Sequence, residues 1–150
     1  MPKHSAGLLL YRRTHGNLEV LLVHPGGPFW AKKDAAAWSI PKGEFDEGSE
    51  DGLSAARREF AEELGIDPPD VVYVPLEVIR HAGGKYIHCW TGEADVDVTR
   101  IVSNLFEMEW PPKSGRIAKF PEVDRAGWFG IDVAMEKIHK GQRGLLEQVG

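Results

Sequence analysis

Between residues 51 and 64, apolar side chains recur at Leu53, Ala56, Phe60 and Leu64, at spacings of three and four that bring them onto one face of a helix. Gly65 supplies a left-handed stop and Pro68-Pro69 forbids continuation, so the helix has a defined end. A helix with one apolar face must lie on something apolar, and the rest of the chain offers strands. Residues 6–11 and 19–24 are short apolar runs separated by the polar Arg12, Arg13, Thr14, His15, Gly16 and Asn17, which predicts two strands joined by a turn. Residues 71–79 and 85–94 are rich in β-branched and aromatic side chains, with His81-Ala82-Gly83-Gly84 as turn chemistry, and predict an antiparallel pair.

The remaining segments are less regular. Residues 25–37 form a loop longer than most connections in compact domains, 38–40 read as a short buried strand ending at Pro41, and 43–48 as an acidic, glycine-bearing loop. A further strand is expected at 103–110, broken by the segment from Trp110 through Pro111-Pro112 to Arg116, and a last short strand at 125–129. Residues 131–149 read as one closing helix with Val133, Ile138, Leu145 and Leu146 inward, despite Gly141 and Gly144. The pattern is that of a single α/β domain over residues 1–150, a central mixed sheet between helices.

Composition narrows the function. With 18 Lys plus Arg against 23 Asp plus Glu, the chain carries a formal charge of −5, and no basic stripe is present to hold an extended nucleic acid. The apolar run at 6–11 is too short for a membrane span and lacks a cleavage site, so neither signal peptide nor transmembrane helix is expected. The lone Cys89 can form no intramolecular disulfide, no Cys/His spacing reads as a zinc site, and a reducing cytoplasm is the simplest compartment.

The chemistry is concentrated in the helix. Taking about 100° per residue from Leu53, the side chains of Glu59, Glu62 and Glu63 share an arc of about 100° beside the apolar face. Glu59 and Glu63 are like charges four residues apart, and all three lie toward the negative end of the helix dipole, which is locally unfavourable. A bound Mg2+ or Mn2+ would offset that repulsion. Taken alone, the same face reads by default as a solvated acidic surface with Arg58 paired to Glu62.

The wider pattern resembles the Nudix box of the Nudix hydrolases. Glu50, seven residues, then Arg58-Glu59-Phe60-Ala61-Glu62-Glu63-Leu64-Gly65-Ile66 match its second part without a gap, and Ile40-Pro41-Lys42-Gly43 looks like its lead-in. Six residues separate Gly43 from Glu50 where the box has five, and the extra one is expected in the loop before the helix.

The resemblance implies a Nudix-type α/β/α sandwich that uses a divalent metal and water to break a phosphoanhydride bond in a nucleotide derivative. Glu59, Glu62 and Glu63 would hold metal, together with Gly43, and Glu59 would also activate water. Arg58 would orient these carboxylates, and Glu50 would brace the loop or helix start. The family often adds a later carboxylate, for which Glu107 and Glu109 are the candidates, both on one strand face by alternation. Lys42, Lys33, Arg116 and Glu50 are the candidate substrate contacts, although loop lysines and arginines also serve as plain solvated charge. Trp30, Trp38, Tyr86 and Trp110 could stack on a base or pack in the core or at its rim. The implied partner is a small nucleotide, with Mg2+ or Mn2+ as cofactor, and a homodimer is expected from family analogy alone. A non-catalytic nucleotide-binding module on the same fold is the alternative.

Overall fold

The computed structural model describes residues 3–81 and 83–149. In chain order, β1 (His4–Thr14) and β2 (Asn17–Pro25) form a hairpin, followed after a long loop by β3 (Lys42–Phe45) and the helix α1 (Gly52–Leu64). The short strands β4 (Val74–Pro75) and β5 (Ile79–His81) precede β6 (Lys85–Glu93), and the ribbon of β7 (Leu105–Glu109) and β8 (Ile117–Pro121) precedes β9 (Val123–Gly130). Two short helices, α2 (Ile131–Lys137) and α3 (Arg143–Val149), close the chain.

The main sheet runs β4-β6-β1-β2-β9. It is mixed, because β1 pairs in parallel with β6 and antiparallel with β2, while β2 pairs antiparallel with β9. Strand β1 is long enough to take two partners along one edge. Its Tyr11–Thr14 end holds β2, and His4–Gly7 hold β3. Where those partners separate, Leu8 N–H donates to the Pro41 carbonyl at 3.2 Å, and a Cβ on Gly7 would meet the Ile40 side chain at 2.7 Å. Glycine at position 7 therefore lets the segment leading into β3 cross close over β1.

The leucine run of β1 is buried on both faces, as an interior strand requires. Leu8 and Leu10 join Leu21, Val23, Ala56, Phe60 and Leu64 in the core beneath α1. Leu9 faces the other way, with Val20, Leu22, Trp38, Ile40, Ala134, Ile138, Leu145 and Leu146 in the core that α2 and α3 cover. The architecture is thus the expected α/β/α sandwich on a mixed sheet.

Several local expectations are corrected. The turn between β1 and β2 contracts to His15-Gly16, both at positive φ, while Arg12–Thr14 continue the strand opposite Asn17–Glu19. Lys42–Phe45 is a strand, not loop, because the amino-terminal end of β1 would otherwise lack a partner on that edge. Residues 38–40 make only isolated bridges, Ser39 to Val23 and Trp38 to Ile138. The second of these breaks the expected closing helix: Ile138 is extended (φ −71°, ψ 145°), and His139 N–H donates to the Trp38 carbonyl at 2.7 Å. Val133 is exposed instead of inward. Strand β8 forms where the sequence predicts no strand, and Ala82, in the expected turn before β6, lies outside the described residues. No helix among the described residues is long and apolar enough to cross a membrane.

Candidate active site

Both ends of α1 are fixed by sequence-local contacts. The Asp51 carboxylate accepts from Ser54 N–H at 3.0 Å, and Gly65, at φ 68°, donates its N–H to Ala61 at 2.8 Å. With Phe60 and Leu64 buried, the glutamates stand along the flank of the helix. The extra residue before Glu50 is absorbed in a turn in which Asp46 accepts from the N–H groups of Gly48, Ser49 and Glu50. The helix therefore keeps its register.

Arg58 organises the outer side of the cluster. Its guanidinium reaches Glu50 by two 3.1 Å bonds, Glu59 at 2.9 Å and Glu62 at 3.3 Å. Those carboxylates hold Arg58 charged, above its ordinary range. Glu50 is thus paired to Arg58 through both carboxylate oxygens.

The inner side is built from the crossing segment. Lys42 N–H donates to Glu63 Oε1 at 3.1 Å, and a Cβ on Gly43 would collide with the Glu59 carboxylate. Only glycine at position 43 lets the main chain lie against those oxygens. Burial pushes the Glu63 carboxyl up to about 8, against the lowering pull of the Lys42 N–H and ammonium. Burial and the charge of Glu62 also raise Glu59, while burial lowers Lys42.

A carboxylate not singled out in the sequence, Glu122, completes the arrangement. It lines the same cleft as Lys42, Glu63, Ser39 and Val123, and is raised by burial and by the charge of Glu62. Asn104 fixes its position: its N–H donates to the Glu62 carbonyl on α1, and its carbonyl accepts from Glu122 N–H at 2.8 Å. Nothing in the sequence distinguishes Glu122 from other exposed acids, since its proximity arises through β9 packing beside α1. Glu63 and Glu122 line the cleft, the charge of Glu59 bears on Glu63 and that of Glu62 on Glu122, and together the four carboxylates offer hard oxygen donors suited to Mg2+ or Mn2+. At Gly43 the main chain lies directly against the Glu59 carboxylate, so a cation held by Glu59 would also be within reach of the Gly43 backbone.

Other candidates lie elsewhere. Glu107 faces Lys119 across the β7–β8 ribbon at 3.8 Å, and Glu109 accepts from the N–H groups of Lys113 and Gly115 at that ribbon's turn. Both are exposed, and neither contacts the α1 glutamates in any bond found among the described residues. Arg116 is exposed in the same turn. Lys33 lies with Trp38, Arg125 and Lys137 around a separate depression, its ammonium 5.1 Å from the Trp30 ring centre. Its loop is anchored by the buried His24, which bonds the Lys33 carbonyl at 2.6 Å and Asp124 at 2.8 Å. Of the aromatics, Trp38 is buried, Tyr86 stacks on His4 and Trp110 meets Phe29 edge-on. The histidines, which show no ligand spacing along the chain, do cluster in space: His4, His88 and Glu47 bring three ligand atoms within 4.8 Å of one another.

Comparison with known proteins agrees with this geometry. The NUDIX domain family model matches residues 1–149. No curated protein matches the sequence. Among solved structures, the NUDIX domain of Shewanella oneidensis NrtR, complexed with ADP ribose, superposes with a TM-score of 0.64 at 21% identity, covering 99% of this chain and 86% of that one. A C. elegans Ap4A hydrolase binary complex gives 0.64 at 23% identity over 98% and 94% of the two chains. A mutT/nudix family protein from Listeria innocua gives 0.62 at 16% identity over 99% and 92%. The family match along nearly the whole chain, with the Arg58, Glu59, Glu62 and Glu63 set intact on one helix, shows that the chain belongs to the NUDIX family.

Proposed function

We propose that the protein hydrolyses a phosphoanhydride bond in a nucleoside di- or polyphosphate derivative, by attack of water at phosphorus, with Mg2+ or Mn2+ held by Glu59, Glu62, Glu63 and the Gly43 main chain. The observation that carries this reading is the contact of Gly43 with the Glu59 carboxylate beside the buried Glu63. That combination costs electrostatic energy that a cation shared by the two carboxylates would offset. When bound, such an ion neutralises the anhydride oxygens and lowers the pKa of water.

The chain's own residues supply the rest. Glu59, raised by burial and by Glu62, is the carboxylate suited to accept a proton from the attacking water. Arg58 keeps Glu59 and Glu62 oriented, with Glu50 fixing Arg58. Lys42 lines the cleft and supplies positive charge toward a bound phosphate, and Glu122 adds a fourth carboxylate from the facing segment. Glu107, Glu109, Lys33 and Arg116 are not assigned a role in the reaction.

The NrtR NUDIX domain, complexed with ADP ribose, and Ap4A hydrolase, both similar in fold, support a nucleotide substrate. The test is phosphate-bond cleavage across nucleoside triphosphates, dinucleoside polyphosphates and nucleotide sugars, with Mg2+ or Mn2+ and with Glu63→Gln as control. Metal-dependent cleavage lost in the variant supports the enzyme. Nucleotide binding without cleavage of any panel member favours the non-catalytic module.

A further inference from the structure

On the far side of the turn that precedes α1, His4 Nδ1, His88 Nε2 and one oxygen of Glu47 form a nearly equilateral triangle. The two nitrogens are 2.9 Å apart, and Glu47 Oε2 lies 3.1 Å from His4 and 3.2 Å from His88. Topology makes the triangle. Strand β1 is flanked at its amino-terminal end by β3 on one edge and β6 on the other, with His4 opposite Phe45 and Tyr86. His88 stands two residues beyond Tyr86 along β6, and Glu47 two beyond Phe45, in the turn that leads to Glu50 and α1.

With Glu47 ionised, protons alone cannot satisfy this arrangement. A ring nitrogen either donates or accepts, never both at once, and an ionised carboxylate only accepts. If both nitrogens donate to Glu47, the 2.9 Å contact between them is donor against donor; if one nitrogen accepts from the other, it faces Glu47 as acceptor against acceptor. One short contact is always between like groups. A cation at the common centre removes the conflict.

The size also fits. Atoms 2.9, 3.1 and 3.2 Å apart lie on a circle of radius about 1.8 Å, so an ion about 2.1 Å from each sits roughly 1 Å out of their plane, leaving its outer face to water. The aromatic surroundings fix the rings: Tyr86 stacks on His4 with centroids 5.3 Å apart, and Phe45 meets His88 edge-on at 5.4 Å. Both imidazoles are about four-fifths buried, whereas Glu47 is more than half exposed and leaves a path from solvent.

We infer that His4, Glu47 and His88 form a second cation site, separate from the α1 glutamates, that takes a borderline transition ion of the Zn2+ class. Two imidazoles and one carboxylate select Zn2+ over Mg2+, since nitrogen ligands suit the former and hard oxygen ligands the latter. The ion joins β1, β6 and the turn from Asp46 to Glu50, and so tethers the loop that connects Gly43 to α1. The site stands independently of the proposed hydrolysis.

The test is calorimetric titration of tag-free, chelator-stripped protein with Zn2+ in millimolar Mg2+, which saturates the oxygen site. The expected result is one Zn2+ per chain with micromolar or tighter Kd, weakened at least about 100-fold in His4→Gln/His88→Gln and unchanged in Glu59→Gln/Glu63→Gln. Should the double histidine variant fail to fold, Glu47→Gln alone, in an exposed turn, must weaken binding at least about 10-fold. No Zn2+ uptake by the wild type, equal uptake by the His or Glu47 variants, or loss of uptake in the α1 variant overturns the assignment.

Discussion

Glu63→Gln separates the electrostatic cost of the glutamate cluster from its use. In the folded, metal-free protein Glu63 titrates at about 8 against an ordinary 4.5, chiefly because it is buried. The native state therefore binds the extra proton between those values, and stability falls as pH rises from about 4.5 to about 8, then levels off. At about 1.4 kcal/mol per pKa unit the ceiling of this loss is about 5 kcal/mol. Water reaches part of the side chain, so about 2 kcal/mol is the working expectation. Gln keeps the shape and its carbonyl still accepts Lys42 N–H, but it has nothing to ionise. In EDTA above pH 8 the variant should melt roughly 4–8 °C higher than wild type, and the two should converge near pH 5. Millimolar Mg2+ should narrow the gap by stabilising the wild type more than the variant, while turnover of the variant drops at least about 100-fold. Thermal denaturation against pH, with and without Mg2+, is the assay. Parallel pH profiles for the two proteins would refute the reasoning.

Gly43→Ala places a methyl against the Glu59 carboxylate and should raise the Mg2+ concentration needed for half-maximal turnover at least about 10-fold, with little change in melting temperature. Glu122→Gln should lower turnover about 10-fold or more, while Glu107→Gln, in the β7–β8 ribbon, should stay within about twofold; steady-state kinetics on both variants decides between the two acids. Phe60→Ala empties a fully buried position under α1 and should cost about 3–5 kcal/mol in denaturant unfolding.

What the sequence made legible follows from how local each signal was. Helix α1 carries its period, its Asp51 cap and its Gly65 stop within fifteen residues, and nothing tertiary overrides them. Its carboxylate arc was readable for the same reason. Strand β3 was not, because Lys42-Gly43-Glu44-Phe45 has weak strand propensity and becomes a strand by pairing with an edge of β1 left open by β2. The apolar pattern of residues 131–149 overstates the closing helix because Trp38, a hundred residues earlier, bridges Ile138 and makes the backbone extend there. Glu122 and the His4, Glu47 and His88 triangle share a different obscurity. Each of their residues is ordinary for its type, and only sheet pairing and the packing of β9 beside α1 bring them to their neighbours. The alternation that put Glu107 and Glu109 on one strand face held, but that strand pairs only with β8 in a separate ribbon.

Metal-dependent hydrolysis at α1 is decided by cleavage of the best panel substrate by wild type and Glu59→Gln across one Mg2+ titration started in EDTA. The expected result is no cleavage in EDTA, a saturable rise with Mg2+, and a rate at least about 100-fold lower in the variant at every concentration. Cleavage by the wild type that persists in EDTA, or a variant as fast as the wild type, would contradict it.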